Sequence, residues 1–218
     1  MKKSQSFRGP FPGLYAITPD RADTGVLINE VRQALEGGAR LIQYRNKSAD
    51  EVLRLQQARR LVDLCKEFEV ALIVNDSVAL AEKSGAHGVH LGCDDAAIDA
   101  ARRRLGAAKI IGASAYASIG RAREAEALGA DYVAFGSFFA STVKPAAPRA
   151  PLALLADAKA HFDIPVVAIG GITLDNAPAL IEAGADGLAV ISALFGAPDI
   201  RQAARQFARM FAAASCRT

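Results

Sequence analysis

Residues 84–92 read SGAHGVHLG. A Gly-Ala pair, one further residue and a short apolar run succeed one another without a gap. The same order returns in GGARLIQYR at 37–45, LGADYVAFG at 128–136 and AGADGLAVI at 183–191. Physically, this is a helix stopped by Gly just past its end and running at once into a buried strand. The segments ADEVLRLQQARRLVDLCKEF (49–68) and IGRAREAEAL (119–128) carry the periodicity of amphipathic helices. Four more apolar runs lie between the repeats: GLYAIT (13–18), EVALIVND (69–76), AKIIGAS (108–114) and IPVVAIGG (164–171). That makes eight short strands alternating with helices.

Strands that are apolar throughout are covered on both faces, as a parallel sheet requires. Strict strand–helix alternation gives right-handed crossovers. Eight units in a chain of 218 residues suit a single-domain (β/α)8 TIM barrel, expected over 13–218 behind a flexible N-terminal tail at 1–12. An open doubly wound sheet is the runner-up, but no GxGxxG follows the first strand.

Composition narrows the function classes. The chain is 51% hydrophobic with a net charge of only +3, and its Lys and Arg are scattered along helical segments. That argues against nucleic acid as a partner. No apolar run approaches the roughly 20 residues that span a bilayer, and MKKSQSFRGPFPG lacks the apolar centre of a secretion signal. Cys65, Cys93 and Cys216 form no CxxC pair, which fits a reduced, cytoplasmic setting. Oligomeric state is not legible.

In this fold, active-site residues sit at the C-terminal strand ends, and the unusual polar groups gather there. Strand two ends in Gln43, Arg45 and Lys47, strand three in Asn75-Asp76, and strand four leads to Asp94-Asp95. Strand five ends at Ser114, and strand six opens a long loop with Ser141, Thr142, Lys144 and Arg149. Strands seven and eight end in Gly170-Gly171 and Ile191-Ser192. Asp76 and Asp95 could each be a helix N-cap, which Asp favours. Arg45, Lys47 and Lys144 could be solvated loop charges, and the paired glycines a tight turn. His87 and His90 have no third ligand at metal spacing, so structural roles outweigh zinc. Together, acids and cations on one rim suit a magnesium–diphosphate substrate, because Mg²⁺ takes one or two carboxylates and completes its octahedron with phosphates and water. A second phosphate would meet the loops after strands seven and eight, where backbone N–H groups at a helix start attract anions.

The motifs LYAITPD, QYRNK, VNDSVALA, GVHLGCDD, GASAY, FGSFFASTVKP, VAIGGIT and AVISAL resemble the thiamine-phosphate synthase family along nearly the whole chain, from Leu14 to about Asp199. That family joins a hydroxymethylpyrimidine diphosphate to a thiazole phosphate, releasing diphosphate and giving thiamine phosphate. The resemblance implies that Gln43, Arg45 and Lys47 hold the pyrimidine diphosphate, with Asn75 nearby. It implies Mg²⁺ on Asp76 and Asp95, and contacts from Ser114 and Lys144 to the pyrimidine substrate and its diphosphate. Gly171, Ile191 and Ser192 would hold the thiazole phosphate, helped by Ser141, Thr142 and the residue at Val143. Arg45, Ser114 and Lys144 would carry the chemistry, an ionisation of the C–O bond to a pyrimidine-methyl cation that the thiazole nitrogen captures. The strand-six loop departs from the family's frequent PTxTK: it reads ASTVK, and Val143 has no hydroxyl to donate. The related thiazole tautomerases tend to lose the second metal acid and carry a His just after the strand-five Ser. This chain keeps Asp95 and has Tyr116 at that place. A non-catalytic phosphate-ligand binding protein is the alternative from another class.

Overall fold

A computed structural model describes residues 13–92, 98–140 and 148–215. The expected tail lies outside the described residues. Eight strands run β1 (Gly13–Ile17), β2 (Leu41–Tyr44), β3 (Ala71–Asn75), β4 (Gly88–Leu91), β5 (Ile110–Tyr116), β6 (Tyr132–Phe135), β7 (Val166–Ile169) and β8 (Gly187–Val190). Between them lie α1 (Thr24–Glu36), α2 (Glu51–Glu67), α3 (Val78–Ser84), α4 (Ile98–Leu105), α5 (Ile119–Ala127), α6 (Ala153–His161) and α7 (Ala177–Glu182). A one-turn helix α8 (Ser192–Phe195) precedes the long α9 (Ile200–Ser215). Each strand pairs with the next in parallel, and β8 closes on β1 from Gly13↔Gly187 to Ala16↔Val190. The (β/α)8 barrel read from the sequence is the fold. Helix α9 packs on α1, α7 and β1 and so fills the eighth helix position.

The Gly-Ala repeat has one job in all four places. Gly38, Gly85, Gly129 and Gly184 adopt φ values of 103°, 77°, 96° and 103°, which a Cβ would oppose. The following alanine N–H reaches back five residues, Ala39 to the Ala34 carbonyl and Ala86 to that of Ala81. Ala130 and Ala185 do the same to Ala125 and Leu180. This bond closes the helix end and turns the chain straight into an even-numbered strand. The next residue then enters the barrel: the N–H of Arg40, His87, Asp131 and Asp186 donates to Leu14, Leu72, Ile111 and Val166 of the preceding strand.

At three of these places the same residue's side chain answers the neighbouring strand. His87 Nδ1 accepts from Leu72 N at 3.0 Å, Asp131 Oδ2 from Ile111 N at 2.7 Å, and Asp186 Oδ2 from Val166 N at 2.8 Å. His87 must therefore be neutral at Nδ1, in keeping with burial, then Lys109 and Lys66, lowering its pKa. Asp131→Ala strips Ile111 N–H of this acceptor and the Arg102 guanidinium of its partner at 2.6 Å. We expect a loss of about 1–3 kcal/mol in a urea melt, the usual cost of orphaning a buried donor, with Asp131→Asn recovering part of it.

Two apolar layers result. The outer one lies between sheet and helices, with Leu14, Ile42, Leu72, Val89, Ile111, Val133, Ala168 and Leu188 facing it. The inner one fills the barrel with Tyr15, Ile17, Leu41, Ile73, Ile110, Tyr132, Ala134, Val167 and Ala189. Alternation along each strand sorts the two sets. Position 112 has room only for Gly, since a Cβ there would stand 2.0 Å from the Tyr132 ring.

Candidate active site

Above the inner layer opens a cavity of about 620 Å³ at the C-terminal strand ends. Gln43, Arg45, Lys47, Asn75, Asp76, Ser114, Gly171, Ile191 and Ser192 all line it. These are the candidate residues that fall among the described ones. Asp95, Ser141, Thr142, Val143 and Lys144 lie outside them. Arg149 is exposed and does not line the cavity.

The floor is a chain of polar groups that crosses the barrel. Gln43 Nε2 donates to Tyr15 Oη at 2.7 Å, the Tyr15 and Tyr132 hydroxyls are 2.8 Å apart, and Tyr132 Oη lies 2.9 Å from His90 Nδ1. His90 Nε2 lies 2.9 Å from Ser114 Oγ. Burial raises the pKa of both phenols well above the ordinary tyrosine value, so they remain protonated links rather than bases. Ser114 is aimed by a register shift between Ser114 and Tyr116, where the chain takes φ 53° at Tyr116. The sequence reading placed His90 only as a structural residue of strand four and gave Tyr15 and Tyr132 no role. A signal was there: a phenol facing the inside of a small barrel needs a hydrogen-bond partner.

The wall at β2 carries the cations. Thr18 Oγ1, fully buried, donates to the Arg45 carbonyl and accepts from Arg45 N, both at 2.9 Å. Asp20 Oδ1 accepts from Arg45 NH1 and Lys47 N, each at 3.1 Å. Asp20 thus aims the guanidinium, a role the sequence did not reveal. A smaller hollow adjoins the cavity, lined by Arg45, Lys47, Asn75, Asp76 and, from α2, Arg54.

Asp76 is settled by its neighbour. The N-cap of α3 is Ser77, whose side chain accepts from Leu80 N, so the capping role is already taken. Asp76 holds φ 62°, a conformation uncommon outside Gly. Its Oδ2 accepts from Asn75 Nδ2 at 2.6 Å and stands 3.8 Å from Lys47 Nζ. A strained, half-exposed carboxylate on the rim beside a lysine suits an oxygen-loving cation that shares phosphate ligands. Among the described residues no three His, Cys, Asp or Glu side chains gather into a protein-only cage.

Across the mouth, Gly170 and Gly171 hold φ 103° and 64°. A Cβ on Gly171 would stand 2.2 Å from the Ala140 carbonyl oxygen, so close approach to the strand-six loop, as well as a turn, requires Gly there. Asn176 Nδ2 donates to the Gly171 carbonyl at 3.0 Å and fixes that turn. Helix α8 starts at Ser192 behind Ile191, which supplies no side-chain cap. A short extra helix after strand eight is a recurrent phosphate-binding device in this fold.

Known proteins resemble this chain along most of its length. The sequence profile of the thiamine monophosphate synthase family matches residues 14–194. A thiamine-phosphate synthase of Thiobacillus denitrificans is 58% identical over 204 residues, covering 93% of this chain and 97% of its own. One of Methylobacillus flagellatus is 54% identical, covering 93% and 96%. The solved thiamine phosphate pyrophosphorylase of Pyrococcus furiosus superposes with a TM-score of 0.84 at 39% identity, over 94% of this chain and 98% of that one. With eight motif segments spread over the barrel and most of its length matched, the chain belongs to the thiamine monophosphate synthase family.

Proposed function

We propose that this protein is a thiamine-phosphate synthase, joining hydroxymethylpyrimidine diphosphate to a thiazole phosphate with release of diphosphate. The observation that carries the reading is one cavity with cations and an acid on one side and a glycine turn and a helix start on the other. Arg45, Lys47 and Asp76 occupy the β2–β3 side, and Gly171, Ile191 and Ser192 the β7–β8 side. The family membership and the relatives' activity support it.

The reaction breaks the bond between the pyrimidine methylene carbon and diphosphate oxygen, and the electron pair leaves with the diphosphate. The thiazole nitrogen then gives its lone pair to that carbon. Charge builds on the leaving group, so the residues that matter are fixed dipoles and cations placed beforehand. Arg45, held by Asp20, and Lys47 would face that charge, and Lys144 would add a third cation. Gln43 and Ser114 offer polar contacts to the pyrimidine, each anchored through the Tyr15–Tyr132–His90 chain. Asp76 and Asp95 would hold Mg²⁺, which when bound neutralises diphosphate charge. Gly171, Ile191 and Ser192 would seat the thiazole phosphate, with Ser141, Thr142 and Val143 at the loop. The substrates are small molecules, and no described helix is long and apolar enough to cross a membrane.

Incubating the protein with both substrates and Mg²⁺ tests the reading. Diphosphate and thiamine phosphate should form in equal amounts, and neither should form when one substrate is left out. Isomerisation of the thiazole phosphate alone would make it a tautomerase. Binding without turnover would make it a phosphate-ligand binding protein.

A further inference from the structure

We propose that Gln57, a residue of α2 outside the cavity, is a positioning residue for the diphosphate half of the site; the inference rests on the function proposed above. Its amide lies fully buried on a helix face otherwise made of Ala58, Leu61, Val62, Leu64 and Cys65. Burying an amide is costly unless it is bonded, and here both of its ends are used. Gln57 Oε1 accepts from Tyr44 Oη at 2.8 Å and from Asn46 Nδ2 at 3.0 Å. Gln57 Nε2 donates to the Arg21 carbonyl at 2.9 Å, which Asn46 Nδ2 also reaches at 2.7 Å.

The placement of these partners gives the bonds their meaning. Along QYRNK, Gln43, Arg45 and Lys47 line the cavity, while Tyr44 and Asn46 alternate with them and are 2% and 5% exposed. Gln57 therefore grips the reverse side of the segment whose front presents Arg45 and Lys47. Asn46 Oδ1 carries the grip onward, accepting from Ser48 Oγ at 3.0 Å and Ala49 N at 3.2 Å. The other loop it holds, through Arg21, also carries Asp20, which aims the Arg45 guanidinium. One buried amide thus sets the relative position of the two loops that make the cationic wall. None of its partners belongs to the β7–β8 side, so its influence should be confined to one substrate.

Gln57→Met keeps the volume and removes all three bonds, leaving the Tyr44 hydroxyl buried without this acceptor. Tyr44→Phe/Gln57→Met removes that hydroxyl as well, and replacing both partners by apolar groups can be nearly neutral for stability. Each variant should be titrated by calorimetry with inorganic diphosphate plus Mg²⁺ and, separately, with thiazole phosphate, and its steady-state kinetics measured for both substrates. A displacement of catalytic groups by about 1 Å can cost up to a hundredfold. We expect diphosphate to bind roughly tenfold more weakly to both variants, with a matching rise in KM for the pyrimidine diphosphate. Thiazole-phosphate binding should stay within about twofold of wild type, well under the tenfold that 1.4 kcal/mol represents, while the double variant regains melting temperature.

A double variant that regained diphosphate affinity together with stability would make Gln57 a purely structural residue and overturn the proposal. So would equal weakening of both ligands, no change in either, or failure of both variants to fold. Wild-type protein that bound diphosphate but made no thiamine phosphate would instead sink the function, leaving the binding comparison intact.

Discussion

Asp76→Asn should lower turnover by roughly a hundred- to a thousandfold, the loss found when one charge-stabilising group is removed from a preorganised site. Asn is chosen because it keeps the left-handed backbone tolerable and retains an acceptor for Asn75, so the charge alone is lost. Stability should barely move, because Ser77 and not Asp76 caps α3. The Mg²⁺ concentration for half-maximal rate should rise, with partial recovery of rate at high Mg²⁺. Steady-state rates across a Mg²⁺ series, beside a urea melt, check both halves. A near-normal rate with unchanged Mg²⁺ dependence would return Asp76 to an ordinary surface acid.

Arg45→Ala should cost about as much in kcat/KM for the pyrimidine diphosphate, again roughly a hundredfold, with little effect on thiazole-phosphate affinity. Arg45→Lys should restore only a small part. The guanidinium has a planar fork that can bond Asp20 and a phosphate at once, whereas an ammonium acts as a compact point charge. Asp20→Ala, which frees the fork from its 3.1 Å partner, should show a milder defect of the same kind. Competition by inorganic diphosphate measures the binding component for all three. Equal damage to both substrates' affinities would mean that Arg45 supports the whole mouth rather than one side.

The barrel was legible because its signal is local and repeated. Four Gly-Ala stops set four helix ends, and each is decided by residues within a turn of one another. The rim was legible because the alternation QYRNK and the pair Asn75-Asp76 stand out at the ends of apolar runs. The capping question was not, because NDS offers three residues that cap well and only the backbone of Ser77 selects among them. The floor of the site lies further still from sequence reach: Tyr15 and Tyr132 meet across 117 residues, and His90 and Tyr132 across 42. Such pairs depend on strand order and register, which follow only from the closed sheet. Helix α8 has four residues, too short for periodicity to announce it.

The central claim is that one mouth holds two anions on opposite sides, diphosphate by β2 and β3 and phosphate by β7 and β8. A crystal structure with thiamine phosphate, diphosphate and Mg²⁺ bound tests it most directly. The account predicts diphosphate against Arg45 and Lys47 with the metal on Asp76, and the thiamine phosphate group against Gly171 and Ser192. Diphosphate seated at Gly171 and Ser192, or a metal bound without Asp76, would contradict it.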